Sequence, residues 1–275
     1  MSVRDIAAIA GLLAALAFQS PGTEAGSARI PLRSDGTIPA WYVAGPFEQP
    51  TAGFGDPVDS DMIGEKTVSP YEGKPEASTM CAGGTASWHG QAADEQGYLD
   101  FARTIGWTLP GENPEKVWIA KVGYAFTQID VPAEHDALLL LGSNSSLRVF
   151  LNGSALHTYS GQRGAVPNQD TVRLHLQRGK NTLLLKVGNT HQNYWLNFFG
   201  GAPWGWGAYA RIVGTDGTPL RDLHAILDRT RQEPGLAIVS TFFFKNSARG
   251  LRQRFDLSVD SPWPDTRSVA LRVER

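Results

Sequence analysis

Hydrophobic and polar residues alternate in short runs along most of this chain, and turn residues separate the runs. The clearest stretch is Leu138 to Gly153, where an apolar run is followed by a polar turn and a second, alternating run. Alternation with a period of two is typical of β-strands, and the continuous run Leu138 to Leu141 predicts a strand covered on both faces. Asn152-Gly153 tolerates positive φ, so it predicts a tight hairpin turn into the arm Ala155 to Ser160.

Similar runs predict strands on both sides of this stretch. Trp118 to Val131 is predicted to pair with Leu138 to Leu141, and Thr171 to Leu176 with Thr182 to Val187. The other predicted strands are Trp41 to Phe47, Thr85 to Gln91, Tyr98 to Ala102, Tyr194 to Phe199 and Gly207 to Val213. Together they predict an all-β fold, a two-sheet antiparallel sandwich of jelly-roll type.

The last quarter of the chain has a different pattern. Leu220 to Arg231 has apolar residues at 220, 223, 226 and 227, which predicts a short helix. Further strands are predicted at Leu236 to Phe244, Arg254 to Val259 and Ser268 to Val273. The expected organisation is a sandwich domain over residues 29–217, a helical linker over 218–235 and a β extension, or the start of a truncated second domain, over 236–275.

The first residues are typical of an export signal. Arg4 precedes an apolar run, Ile6 to Phe18, that is too short to span a bilayer, and small residues allow cleavage after Ala25 or Ala28. We therefore expect residues 1–28 to be a signal peptide. The mature chain is expected to be secreted or periplasmic, without a membrane span. Cys81 is the single cysteine, so no internal disulfide can form.

The composition bears on partners and fold. With 25 basic and 27 acidic residues the net charge is -2, which does not favour nucleic acid or an anionic membrane surface as a partner. The 30 glycines and 17 prolines fit many short strands joined by turns, and the eight tryptophans supply more aromatic surface than a core needs.

Several motifs carry a resemblance to a known family: Trp41-x-Val43-x-Gly45-Pro46-Phe47, Leu141-Gly142-Ser143, Val149-Phe150-x-Asn152-Gly153, Gly179-x-Asn181 and Trp206-Gly207. Over residues 38 to 214 the chain resembles the galactose-binding-like, carbohydrate-binding-module-like jelly-roll domains at the N-terminus of exported bacterial hydrolases and multidomain proteins. The resemblance implies the jelly-roll fold, and it implies either carbohydrate binding or a spacer role. Similar modules often have two acids after Gly-Ser, where this chain has Asn144-Ser145.

An aromatic cluster supplies most of the candidate ligand-binding residues. Its members fall within sixteen residues: Tyr194, Trp195, Phe198, Phe199, Trp204, Trp206 and Tyr209. Flat rings suit the apolar faces of sugars, so the candidates are Tyr194, Trp195, Trp204 and Trp206. The alternative, strongest for Trp206 and Phe198, is that these rings fill the core.

Two polar residues are further candidates, because Arg163 and Asn152 can form hydrogen bonds with hydroxyl groups. The alternative for Arg163 is an ion pair with Asp170 that fixes its loop. The alternative for Asn152 is a role in the hairpin turn.

No motif for catalysis or metal binding is present in the sequence. The six histidines lack ligand spacing, and no nucleophile elbow, phosphate loop or dinucleotide fingerprint occurs. Asp56, Asp59 and Asp61 do not reproduce the spacing of a calcium loop, so a structural calcium ion has no support and no cofactor is predicted.

These observations predict an exported, non-catalytic accessory module that binds a polysaccharide or other glycan weakly, alongside other domains of a longer protein. One alternative is a purely structural spacer or interaction domain without a glycan ligand. Another is the N-terminal part of a glycoside hydrolase, esterase or peptidase whose catalytic domain lies beyond residue 275.

Overall fold

The computed structural model of the protein describes residues 16–17, 27–48, 57–79, 81–105, 121–189, 205–228, 235–247, 250–260 and 272–273. The chain divides into two compact units. The larger unit consists of Ser27–Thr230 with Pro262–Pro264, and the smaller of Met1–Gly26, Arg231–Ser261 and Asp265–Arg275. Among the described residues, no helix has both the length and the apolar character needed to cross a membrane.

Antiparallel strands make up most of the described chain, which confirms the all-β prediction. In chain order they are β1 (Leu16–Ala17), β2 (Ser27–Pro31), β3 (Ala40–Glu48), β4 (Pro75–Ala77), β5 (Thr85–Ser87), β6 (His89–Ala92), β7 (Tyr98–Asp100), β8 (Lys121–Val131), β9 (His135–Ser143), β10 (Leu147–Leu151), β11 (Ser154–Tyr159), β12 (Asp170–Leu176), β13 (Gly179–Asn189), β14 (Gly207–Gly214), β15 (His224–Asp228), β16 (Gly235–Ser247), β17 (Gly250–Asp260) and β18 (Arg272–Val273). Among the described residues, helical structure is limited to α1 (Phe101–Ile105) and to single 3-10 turns at Pro57–Asp59 and Ala82–Gly84.

The larger unit is a sandwich of two sheets. The large sheet has eight strands in the order β11-β10-β13-β8-β15-β2, with β3 also paired to β8 and β6 paired to β3. The small sheet has four strands in the order β12-β9-β14-β7. Strand β8 pairs with β13 along one edge, and its other edge is divided between β3 at residues 121–126 and β15 at residues 128–130.

The main core lies between the two sheets. Leu139 and Leu141 of β9 belong to the same buried cluster as Leu183 and Leu185 of β13, and all four side chains have no exposed surface. Full burial of a leucine side chain contributes about 1.5–3 kcal/mol. Leu138 and Leu140 are only half-buried, so β9 is covered on one face and not on both as its apolar run predicts.

Two of the predicted strand pairings are wrong. Strand β8 does not pair with β9, because residues 132–134 carry the chain from the large sheet to the small one. Likewise β12 pairs with β9, whereas β13 pairs with β8 and β10. In each case the two strands face each other across the core. The predicted hairpin of β10 with β11 is confirmed.

The predicted helix over Leu220 to Arg231 is also wrong, since this part of the chain contains strand β15. Leu223, Ala225 and Leu227 are buried and alternate along the chain, as expected for a strand. Strand β15 pairs with both β2 and β8, so the chain here belongs to the large sheet.

The outer face of the large sheet is covered by residues 57–88, which we call the covering segment. Ala86 and Trp88 from this segment form a second buried cluster with side chains from β3 and β8, among them Tyr42, Tyr124 and Phe126. Hydrogen bonds hold the segment in place, including one from Trp88 Nε1 to Glu76 Oε1 at 3.0 Å. The covering segment is therefore a packed layer.

The smaller unit contains two strand pairs in the described chain. Strand β16 pairs with β17, with a register shift between Ser240 and Phe244, and β1 pairs with β18. The strands predicted at Leu236 to Phe244 and Arg254 to Val259 lie within β16 and β17. The domain boundaries given above stay predictions.

The hairpin turn at Asn152-Gly153 has the predicted backbone, with φ of 50° at Asn152 and 77° at Gly153. The turn also packs against the covering segment. A Cβ atom at Gly153 would lie 2.4 Å from the carbonyl oxygen of Lys66. Glycine is therefore required here for space as well as for φ.

Gly153→Ala should lower the free energy of unfolding by roughly 2–4 kcal/mol, because an unfavourable φ is combined with displacement of the Lys66 carbonyl. Gly217 is a matched control, since its φ is 83° and no atom lies within 4 Å of the position of a Cβ. Gly217→Ala should cost only about 1 kcal/mol. Denaturant midpoints measure both changes, and equal losses would contradict the contact with Lys66.

Candidate binding site at the loop end of the sandwich

Several strands begin or end at the same edge of the sandwich, which we call the loop end. Strand β8 begins there at Lys121, which pairs with Asn189 at the end of β13. Strand β9 ends at Ser143, which pairs with Ala208 of β14, and Gly207 pairs with Asp100 of β7. The end of β13 at Asn189 and the start of β14 at Gly207 therefore both lie at the loop end.

An ion pair fixes the loop between β11 and β12 at this end. Arg163 Nη1 donates to Asp170 Oδ1 at 3.1 Å, and Arg163 Nη2 donates to Asp170 Oδ2 and, at 3.0 Å, to Ser143 Oγ. The guanidinium group lies 3.8 Å from the centre of the Tyr159 ring. A planar, two-point contact of this kind orients the loop as well as balancing the charges.

The turn between β9 and β10, residues 143–146, is completely buried. Ser145 has a φ of 56°, and its backbone N–H donates to the carbonyl oxygen of Arg163 at 2.9 Å. Asn144 and Ser145 occupy the positions where similar modules often have acids, so the described turn carries no carboxylate there. The loop held by Arg163 and this turn thus support each other.

Two tyrosines stand beside this turn. Tyr98 donates its hydroxyl to Asn144 Oδ1 at 2.6 Å, and its ring centre is 5.0 Å from that of Tyr209. Burial raises the pKa of Tyr98, with nearby Asp100 adding to the shift, and burial also raises the pKa of Tyr209. Both hydroxyls therefore stay protonated at neutral pH and can act as hydrogen-bond donors.

Four buried polar atoms near this turn have no hydrogen-bond partner in the part of the chain that the structure describes. They are Asn144 Nδ2, Ser146 Oγ, Asn189 Oδ1 and, in the loop that packs on the turn, Arg163 Nε. The residues are adjacent in space, because the backbone N–H of Gly188, next to Asn189, donates to the carbonyl oxygen of Ser146 at 2.9 Å. Other such atoms, Thr127 Oγ1 for example, lie elsewhere in the sandwich. An unpaired buried polar group costs about 1–3 kcal/mol, so a partner for these atoms would be stabilising.

A lysine adds a donor at the same end. Lys121 is half-buried, and burial lowers its pKa. No cluster of three or more His, Cys, Asp or Glu residues suited to a metal ion occurs among the described residues. The loop end therefore offers amide, hydroxyl and ammonium groups, all of which can bind to the hydroxyls of a ligand.

The structure separates the residues predicted from the sequence. Arg163 lies at the loop end but pairs with Asp170, the alternative considered above. Trp206 is in the core, where it is 1% exposed, packs edge-on against Phe101 and donates its ring N–H to the carbonyl oxygen of Val187 at 3.2 Å. Its ring is thus unavailable to a surface ligand.

Asn152 is at the opposite end of β10 from the loop end and serves the hairpin. Its Nδ2 donates to Asn181 Oδ1 at 3.0 Å, and its Oδ1 accepts from the backbone N–H of Thr182 at 2.8 Å. Tyr194, Trp195 and Trp204 lie outside the described residues.

Sequence reasoning missed Tyr98, Asn144, Ser146 and Asn189 as site residues. For Tyr98, the sequence indicated only that the residue belongs to a predicted strand. Asn144 and Ser146 stand in the polar turn, but nothing in the sequence shows that their side chains are left without partners.

No family model matches this sequence, and no curated protein matches it. Among solved structures, the chain is similar to a PA14 sugar-binding domain from an RTX adhesin, with 15% identity and a TM-score of 0.27 over 39% of this chain and 55% of that one. It is also similar to a GH31 α-xylosidase from Xanthomonas citri, with 10% identity and a TM-score of 0.36 over 74% of this chain and 17% of the enzyme.

A third similar structure is a β-glucuronidase from Ruminococcus gnavus, with 11% identity and a TM-score of 0.33 over 88% of this chain and 35% of the enzyme. The chain thus spans about half of the adhesin domain and smaller parts of the two enzymes. Such low identities and TM-scores carry no argument about function. The sandwich itself is shown by the two sheets, whereas the narrower galactose-binding-like assignment stays a prediction.

Arg163→Lys should lower the free energy of unfolding by about 1–3 kcal/mol, because an ammonium group cannot reproduce the two-point contact with Asp170. Arg173→Lys, an exposed change on neighbouring β12, should shift it by no more than about 0.5 kcal/mol. Denaturant unfolding compares the two. Faster amide exchange of residues 160–169 in Arg163→Lys alone should accompany the loss, and equal effects of both changes would contradict a fixing role for Arg163.

Proposed function

We propose that this chain is an exported, non-catalytic accessory module that binds carbohydrate weakly through its loop end, within a larger multidomain protein. The observation that carries the proposal is a group of partly exposed side chains at the loop end, Tyr98, Tyr209 and Lys121. Together they supply two phenol hydroxyls and an amine. A sugar hydroxyl both donates and accepts hydrogen bonds, so it complements all three.

Aromatic surface at the loop end supports the same proposal. Tyr98 and Tyr209 are partly exposed and contact each other, and a ring face can pack against the apolar face of a sugar. In the sequence, Trp195 and Trp204 lie between Asn189 and Gly207, which are both at the loop end. We therefore retain both tryptophans, with Tyr194, as ligand-binding residues in this proposal.

The character of the loop end favours a neutral ligand over a strongly charged one. The guanidinium group of Arg163 is already paired with the carboxylate of Asp170, and the raised pKa values of Tyr98 and Tyr209 keep both phenols neutral. Weak binding is expected, because neutral hydrogen bonds exchange protein–water contacts for protein–ligand contacts and gain only about 0.5–1.5 kcal/mol each.

A purely structural spacer is the second candidate, and a specific observation favours it. Arg163, Asn152 and Trp206, three of the residues predicted to bind a ligand, all have partners inside the protein. If the loop end binds no glycan, these contacts are sufficient to explain the residues.

Glycan arrays and retention on polysaccharide columns test the carbohydrate proposal. Trp195→Ala, Trp204→Ala and Tyr209→Ala should each reduce retention, while the melting temperature of the two tryptophan variants stays within a few degrees, because rings that serve a ligand instead of the core contribute little to the fold. Asn152→Gly is the control, since it keeps the hairpin backbone and changes only the opposite end of the sandwich. Its retention should equal that of the parent.

Absence of glycan binding by the parent protein would leave the spacer as the better explanation. A large fall in melting temperature for both tryptophan variants would place those rings in the core and remove the aromatic part of the proposal.

The export part of the proposal has its own test. Of the two cleavage positions, the one after Ala25 keeps β2 whole, whereas cleavage after Ala28 removes the pairs of Ser27 with Asp228 and of Ala28 with Leu227. Ala28 is also a buried member of the outer cluster. The mature chain should therefore begin at Gly26, as mass spectrometry of secreted protein would show. A mature chain that begins at Arg29, or that retains Met1 to Phe18, would contradict this.

A further inference from the structure

A lysine is completely buried on the outer face of the large sheet, beneath the covering segment. Lys186 lies on β13 and is 0% exposed, and Glu65 of the covering segment is 5% exposed. Lys186 Nζ is 2.7 Å from Glu65 Oε1. The same ammonium group also donates to the carbonyl oxygen of Ser60. Burying two charges is costly even when they are paired, so this pair calls for an explanation beyond stability.

A tyrosine contacts the same carboxylate. Tyr124 of β8 is the cross-strand partner of Lys186, and its hydroxyl donates to Glu65 Oε1 at 2.7 Å. Its ring packs against Phe47 at 5.4 Å and against Trp88 at 6.5 Å between ring centres. One oxygen of the Glu65 carboxyl group thus accepts hydrogen bonds from both Lys186 and Tyr124. An aromatic layer around this oxygen excludes water.

The surroundings favour the neutral form of the lysine. Burial lowers the pKa of Lys186, although the hydrogen bond with Glu65 acts in the opposite direction, and the nearby charge of Arg148 lowers it further. Burial and the neighbouring Glu65 raise the pKa of Tyr124, so its phenol stays protonated. Transfer of one proton from the ammonium group to the carboxylate produces an amine beside a carboxylic acid, the two reactants of an amide.

We propose that Lys186 and Glu65 condense to form an intramolecular isopeptide bond that joins the covering segment to the large sheet. The lone pair of Nζ forms a bond with Cδ of Glu65, and the bond from Cδ to Oε2 breaks. The hydroxyl on Oε2 takes one proton from the amine and leaves as water, so no oxidant, reductant or further reactant is needed. Negative charge that develops on Oε1 is stabilised by the hydroxyl of Tyr124.

The proximity of the two groups and the exclusion of water both favour this reaction. Groups held in contact by a folded protein react as if at effective concentrations of about 10⁵–10⁸ M, which compensates for the unfavourable condensation of an amine and an acid in water. The product replaces two buried charges by a neutral amide. It would also close a loop between residues 121 positions apart, in a chain whose single cysteine cannot form an internal disulfide.

Peptide mapping of the full chain tests the proposal directly. The protein is denatured and digested, and mass spectrometry should find a branched peptide that joins Glu65 to Lys186 and is lighter than its two components by one water molecule. Lys74 and Glu76 form an internal control, because their side chains are 2.9 Å apart but partly exposed, and they should be recovered unlinked.

Variants test the role of each group. Lys186→Met and Glu65→Leu should abolish the branched peptide, and Tyr124→Phe, which keeps the ring, should lower the linked fraction of freshly made protein several-fold. The parent map needs no variant, so failure of a variant to fold does not affect the main result. Recovery of Glu65 and Lys186 of the parent only in unlinked peptides would overturn the proposal and leave a buried ion pair. An unchanged linked fraction in Tyr124→Phe would overturn the part assigned to the phenol.

Discussion

Strand β8 has to bury both of its faces, and much of the larger unit follows from that requirement. Ala125 and Ile129 face the small sheet, whereas Tyr124 and Phe126 face the covering segment. A shift of one residue in the register would exchange these sets and move the Tyr124 hydroxyl into the apolar core, away from Glu65. A sheet with one solvated face would tolerate polar side chains at the outward positions. Here the outward side chains Val122, Tyr124 and Phe126 are buried in the second cluster, so the covering segment is part of the fold.

The sequence contained enough information for the strands but too little for their partners. Alternation identifies which residues of a strand share a face, and Asn152-Gly153 fixes one hairpin because a two-residue turn leaves a single way to pair its arms. The connection formed by residues 132–134 is only one residue longer than this turn, yet it joins strands of different sheets. A helix was predicted near Leu220 because apolar residues at 223, 226 and 227 fit a period of 3.6, although Leu223, Ala225 and Leu227 fit a period of two equally well.

The candidate site was harder to predict from the sequence than the fold. Asn144 and Asn189 are distant in the chain, and they become neighbours only through the pairing of β10 with β13 and the turn that precedes β10. The burial of Trp206 could have been predicted from alternation. Trp206 lies two and four residues before Ala208 and Ala210, so it has the same parity as these two residues, which face the core. Tyr209 has the opposite parity and faces outward. Composition singled out the aromatic cluster, but alternation was needed to separate the buried Trp206 from the partly exposed Tyr209.

The two ends of β10 differ in how their polar side chains are paired. At the Asn152 end, side-chain amides bond to each other and to the backbone of the hairpin. At the loop end, Arg163 and Asp170 hold the chain while amide atoms on Asn144 and Asn189 stay unpaired. The side chains that fix the loop end are therefore distinct from the unpaired ones. The two sets are coupled through the backbone, because the N–H of Ser145, next to Asn144, donates to the carbonyl oxygen of Arg163.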